Sequence, residues 1–142
     1  MTIREARDTD AQAIAELSGQ LGYSATAEVI VERLAFARRL RGHALFVAEK
    51  DGRVLAWMDL SISHHIQSGA YVEIGGLVVA SDARGLGIGA RLVRAAEEWA
   101  RSQGIWTVLV RSQIVREDAH RFYLREGYER TKTSAVFQKR VG

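Results

Sequence analysis

Three glycines alternate within one short stretch, Ser81-Asp82-Ala83-Arg84-Gly85-Leu86-Gly87-Ile88-Gly89-Ala90, lying between an apolar run and an amphipathic segment. Glycines at a strand-to-helix junction let successive backbone N–H groups point into one concavity, with the positive end of the helix dipole behind them. Such a turn binds phosphate. Two nucleotide-binding patterns fit it poorly. Gly85, Gly87 and Ala90 satisfy G-x-G-x-x-A, yet a dinucleotide fold wants an acidic residue about 20 positions further on for the ribose, and positions 99 to 116 hold none. A Walker loop ends in Lys-Ser/Thr; this chain has Ala90-Arg91 there.

Other chemistries are narrowed by what the chain lacks or scatters. With no cysteine, disulfides, thiolate metal sites and thiol nucleophiles are excluded. His64 and His65 are adjacent and project to opposite sides of a strand, while His43 and His120 have no partner at ligand spacing, so no metal is expected. The 142 residues are 47% hydrophobic and 26% charged, an ordinary globular composition. Net charge is +3, without the interleaved basic and aromatic patch of a nucleic-acid binder. No apolar run approaches the roughly 20 residues of a membrane helix, and Met1-Thr2-Ile3-Arg4-Glu5 lacks the apolar stretch of a signal peptide. A soluble, cytoplasmic chain with neither nucleic-acid nor membrane partners is the expectation.

The elements that must position the turn follow from periodicity. Thr2 to Ala6 predicts a strand. Ile14, Leu17 and Leu21 predict a helix ending at Gly22, and Ile30, Val31, Leu34 and Ala37 a second one after Ser24 or Thr26 as cap. Ala44 to Glu49 and Val54 to Ser63 predict a hairpin turning at Asp51-Gly52. Tyr71 to Val79 and Ile105 to Val110 flank a long helix carrying Ile88, Leu92, Ala96 and Trp99 on one face. A strand, helix, strand unit of that length makes its strands parallel neighbours. A short helix from Arg116 to Glu126, closed by Gly127, precedes a terminal hairpin or extended pair over Tyr128 to Arg140. The fold class is α/β, a mixed sheet flanked by helices, in a single domain over residues 1–142.

Arg84-Gly85-Leu86-Gly87-Ile88-Gly89, together with the Ile3-Arg4-x-Ala6 opening and the late Phe122-Tyr123 and Gly127-Tyr128, resembles the GCN5-related N-acetyltransferases. The resemblance spans nearly the whole chain and implies acetyl-coenzyme A as co-substrate. It places cofactor contacts along Leu77, Val78 and Val79 and through Arg84, Gly85, Leu86, Gly87, Ile88, Gly89 and Ala90. In two places the chain departs from the family's pattern: Ser81 stands where a proline is common, and Arg116 where an asparagine is common.

Acetyl transfer to an amine needs a base, because an ammonium has no lone pair, and is helped by an acid at the departing thiolate. Glu73 precedes Arg84 by eleven residues, where histone-acetylating relatives carry their base. Alternation puts it on the face of Tyr71 and Leu77. Tyr123 matches the family's proposed acid. His64 and His65, in the loop before the Glu73 strand, and Tyr23, between the first two helices, are the expected substrate contacts. The resemblance therefore implies an N-acetyltransferase acting by direct attack in a ternary complex, on a primary amine of a small molecule or protein, with a possible homodimer through residues 132–141. A coenzyme A-binding regulatory module without turnover is the alternative.

Overall fold

The computed structural model describes residues 1–111 and 116–142, which belong to two compact units, Met1–Arg111 and Ser112–Gly142. The first holds a five-stranded sheet in the order β1-β2-β3-β4-β5, formed by β1 (Thr2–Glu5), β2 (His43–Lys50), β3 (Arg53–His65), β4 (Gly69–Val79) and β5 (Val108–Val110). The first four strands run antiparallel to their neighbours, and β5 lies parallel to β4. Three helices accompany them: α1 (Ala11–Ser18), α2 (Ala27–Arg38) and α3 (Ile88–Ser102).

Local chemistry accounts for the boundaries. Asp51 and Gly52 both take positive φ, the two-residue turn whose twist suits a hairpin. Thr26 caps α2, its hydroxyl accepting from the Val29 N–H at 3.2 Å. The buried Asp10 carboxylate accepts from the Arg7 N–H at 2.7 Å and from Arg4 Nη1 at 2.8 Å, and Arg4 Nε also donates to Glu49 at 2.7 Å. That ion-pair cluster ties the start of α1 to β1 and β2.

Register divides the sheet into two faces. Val47, opposite Trp57, packs with Ala11, Ile14, Ile30 and Leu34 of α1 and α2. The other face carries Met58, Leu60, Val72 and Ile74, all at most 2% exposed, and α3 contributes Ile88, Leu92, Val93, Ala96 and Ala100 to the buried set. Each such Val, Leu, Ile or Met side chain stabilises the fold by about 1.5–3 kcal/mol when fully buried.

Three expectations change. The strand predicted from Ile105 begins only at Val108: the Ile105 N–H closes the end of α3 on the Ala100 carbonyl at 2.9 Å, and Trp106 is 80% exposed. His64 and His65 belong to the end of β3 and not to a loop. In the second unit, α4 (Glu117–Arg125) forms as expected and closes at Gly127, whose φ is +92°, but residues 128–142 contain no strand. There the apolar Val136 and Phe137 are adjacent and exposed.

Candidate active site

The glycine turn is built as its spacing predicts. After β4, a single tight turn over Ser81–Ala83 buries Ala83, and Arg53 Nη2 holds Asp82 at 2.9 Å. Gly85 and Gly87 adopt φ of +81° and +78°, with open space where a Cβ would stand. Conformation, not crowding, requires glycine at both. Gly87 offers no capping side chain, and its carbonyl accepts from the Arg91 N–H at 3.1 Å. The amides preceding Arg91 in the first turn of α3 therefore have no intrahelical acceptor. Leu86 is exposed, Gly89 and Ala90 are half-buried, and Ile88 is buried, so Ile88 presents only its main chain. Arg84 is exposed, with Nη2 donating to Gln20 Oε1 at 3.4 Å. A shallow cradle of unbonded amides at a helix start suits a pyrophosphate.

The strand leading to this turn is also unpaired along part of one edge among the described residues. Among the described residues β5 pairs only with Val72, Glu73 and Ile74, so β4 from Gly75 to Val79 has no neighbour on that side. Leu77, Val78 and Val79 lie in this segment and leave main-chain groups available to an extended ligand.

One β-bulge redistributes the side chains of β4. Asp59 pairs with Gly76 and Leu60 with Ile74, leaving Gly75 extra. As a result Glu73, opposite Ser61, and Leu77, opposite Met58, lie on opposite faces, which corrects the shared face expected from simple alternation. Tyr71 remains on the Glu73 side. There, beyond the apolar patch under α1 and α2, the face turns polar. The Arg111 guanidinium pairs with Glu73 Oε1. His43 Nε2 pairs with Asp59 Oδ1 across β2 and β3. His65 stacks on Tyr71 with 5.7 Å between centroids and shares a 3.0 Å hydrogen bond with its hydroxyl. The structure thus brings Glu73 and His65 onto one face and leaves His64, paired with Ala70, on the other. Tyr23 is 67% exposed after the left-handed Gly22.

Asp59, His43 and Arg111 did not stand out in the sequence. The available signal was an aspartate at the centre of an apolar strand, between the fully buried Met58 and Leu60.

In the second unit, Tyr123 is half-buried on α4, edge-on to Phe122 at 5.0 Å and to Tyr128 at 6.0 Å. Burial pushes its phenol pKa up, partly opposed by the Arg116 charge. Such a phenol stays protonated and able to donate. Among the described residues no group of three metal-ligating side chains occurs, and no helix is long and apolar enough to cross a membrane.

The family model for the acetyltransferase (GNAT) family matches residues 11–128. The aminoalkylphosphonate N-acetyltransferase of Salmonella typhimurium (strain LT2) is 40% identical over 86 residues, 60% of this chain and 56% of that protein, so the match spans little more than half of that relative's length. The uncharacterized N-acetyltransferase YhdJ of Bacillus subtilis (strain 168) is 30% identical over 80% of each chain. Among solved structures, the aminoglycoside N-acetyltransferase AAC(6')-Iy in complex with CoA superposes with a TM-score of 0.87 at 21% identity, covering 99% of this chain and 95% of that one. At that identity the likeness is one of fold.

Proposed function

This chain belongs to the acetyltransferase (GNAT) family, and we propose that it is an acetyl-coenzyme A-dependent N-acetyltransferase that modifies a primary amine by direct attack, with both substrates bound together. The observation that carries this reading is the set of first-turn amides at Ile88–Ala90 without an intrahelical acceptor, beside a stretch of β4 that pairs with no described residue on one edge. The solved relative bound to CoA and the named N-acetyltransferase relatives support it. When bound, the co-substrate supplies an activated acetyl thioester.

The chain's own residues divide the remaining work. Amides of Gly85, Leu86, Gly87, Ile88, Gly89 and Ala90, with Arg84 at the rim, hold the pyrophosphate, and main-chain groups of Leu77, Val78 and Val79 hold the extended arm. Glu73 accepts the proton that the acceptor's ammonium must lose, directly or through water. Tyr123 donates a proton to the departing sulfur. Tyr23 and His65 contact the acceptor; His64, on the other face, retains only a peripheral role. Small-molecule amines are the favoured acceptors, since aminoalkylphosphonate and aminoglycoside enzymes are among the relatives.

The test is a panel of amines (an aminoglycoside, a diamine, an amino acid, 2-aminoethylphosphonate and a lysine peptide) incubated with acetyl-coenzyme A, with thiol release as the readout. Turnover with at least one is expected. Binding of coenzyme A with no turnover across the panel would favour the regulatory-module alternative. The reading includes a homodimer through the terminal segment, where Val136 and Phe137 stand exposed; light scattering that finds only a 15.8 kDa species would remove that part.

A further inference from the structure

Two carboxylates stand on the polar end of the sheet face, and their charges are treated differently. Glu73 faces a guanidinium, which is always cationic, so the Glu73–Arg111 pair is neutral as a unit. Asp59 faces an imidazole, which in its neutral form donates one N–H, fixing the carboxylate's orientation while leaving its charge in place. Only Oδ1 is used in that contact. Among the described residues Oδ2 accepts no hydrogen bond, and it lies 3.5 Å from where a Cβ on the exposed Gly75 would stand. The bulge thus sets a residue without a side chain beside the free oxygen.

Asp59 is a carboxylate at the centre of an otherwise apolar strand, on the face opposite Met58 and Leu60, with its side chain 39% exposed. Next to Gly75, Gly76 lies against the Trp57 indole: a Cβ there would come within 2.8 Å of the ring. The strip beside Asp59 is therefore bare, walled by an aromatic ring, and opens to solvent at Gly75.

We propose that Asp59, oriented by His43 beside the β4 bulge, binds a second ammonium group of the acceptor, so that the preferred substrates are amines with two cationic nitrogens. The inference rests on the acetyltransferase reading, in which Glu73 takes the proton from the reacting nitrogen. Asp59 and Glu73 are separated by two residues along the strand direction and by one strand spacing, which puts their backbones roughly 8 Å apart. A four-carbon diamine can reach between carboxylates at such positions. An acceptor carrying a phosphonate instead of the second ammonium meets an uncompensated negative charge there and is disfavoured.

Calorimetric titration of the full chain with coenzyme A present tests this without turnover, so failure of the acetylation reading and failure of the subsite are separate results. Butane-1,4-diamine should bind at least tenfold more tightly than butylamine, and 2-aminoethylphosphonate more weakly than the diamine. In Asp59→Asn the preference for diamine over butylamine should shrink below threefold, and His43→Gln should reduce it partway. Equal affinity of the wild-type chain for diamine and monoamine, or tighter binding of 2-aminoethylphosphonate, would overturn the proposal with no variant needed. So would an Asp59→Asn chain that still binds coenzyme A and keeps the full diamine preference.

Discussion

The glycine turn and the polar end of the sheet face create binding chemistry by opposite means. The turn uses main-chain amides freed by a helix start, and its specification is local: two left-handed positions within three residues, Gly85 and Gly87. The polar face uses side chains from four strands or their flanks: His43 and Asp59 pair through the β2–β3 register, and Glu73 pairs with Arg111 on the same face, beyond the bulge at Gly75. A site made of backbone tolerates many side chains but almost no change of conformation. One made of side chains tolerates conservative backbone change but not the loss of a functional group.

The sharpest way to break that contrast is at the turn. Gly87→Glu places a Cβ on a backbone with φ of +78° and an anion where phosphate must approach, so coenzyme A affinity should fall by at least 10²-fold, with loss of the thermal stabilisation that any native-state ligand confers. Calorimetry decides the matter: unchanged affinity would place the cofactor elsewhere and leave the contrast without its first half.

A smaller but more selective effect is expected from the groups proposed to move protons. Tyr123→Phe keeps the edge-on ring contacts with Phe122 and Tyr128 and removes only the hydroxyl. Turnover should fall roughly 10²-fold while coenzyme A affinity survives. Because burial raises the Tyr123 pKa above the ordinary 10.0, the wild-type rate should show no loss of this acid until pH exceeds that value. For Glu73→Gln, the loss should be greatest at neutral pH and recover as pH rises, since the amine then sheds its proton to solvent. A variant profile parallel to wild type at all pH values would remove Glu73 as the base.

The contrast also explains what the sequence could reveal. Both the hairpin turn at Asp51-Gly52 and the glycine turn at Gly85 and Gly87 were legible, because positive φ leaves its mark on residue type at the position concerned. The α3 core stripe was legible from period alone. What alternation could not see was the extra residue at Gly75, which reverses the face of everything beyond it and separates Leu77 from Glu73. The pairing of His43 with Asp59 lay 16 residues apart in sequence and needed the β2–β3 register to be known. The terminal hairpin or extended pair expected over Tyr128 to Arg140 does not form: residues 128–142 contain no strand.

Elsewhere on the same sheet, the Arg4–Asp10–Glu49 cluster uses the same ion-pair chemistry for a different end, and it is the yardstick for the smallest effect. Asp10 is 5% exposed, and its pKa is lowered below 3.8 chiefly by the Arg4 hydrogen bonds, against desolvation, with further help from the Arg7 N–H. A carboxylate whose folded-state pKa is depressed contributes stability that is present above the unfolded pKa and is lost as pH falls through the folded one. Asp10→Asn should therefore cost about 1–3 kcal/mol at neutral pH, and the gap to wild type should close as the medium is acidified through the folded-state pKa. Asp59→Asn removes a half-exposed carboxylate partnered by histidine and should cost distinctly less stability at neutral pH. Urea midpoints for the two variants across pH make the comparison direct. If Asp59→Asn were as destabilising as Asp10→Asn, the His43–Asp59 pair would belong with the groups that hold the fold, and the side-chain half of the contrast would lose its claim on the acceptor.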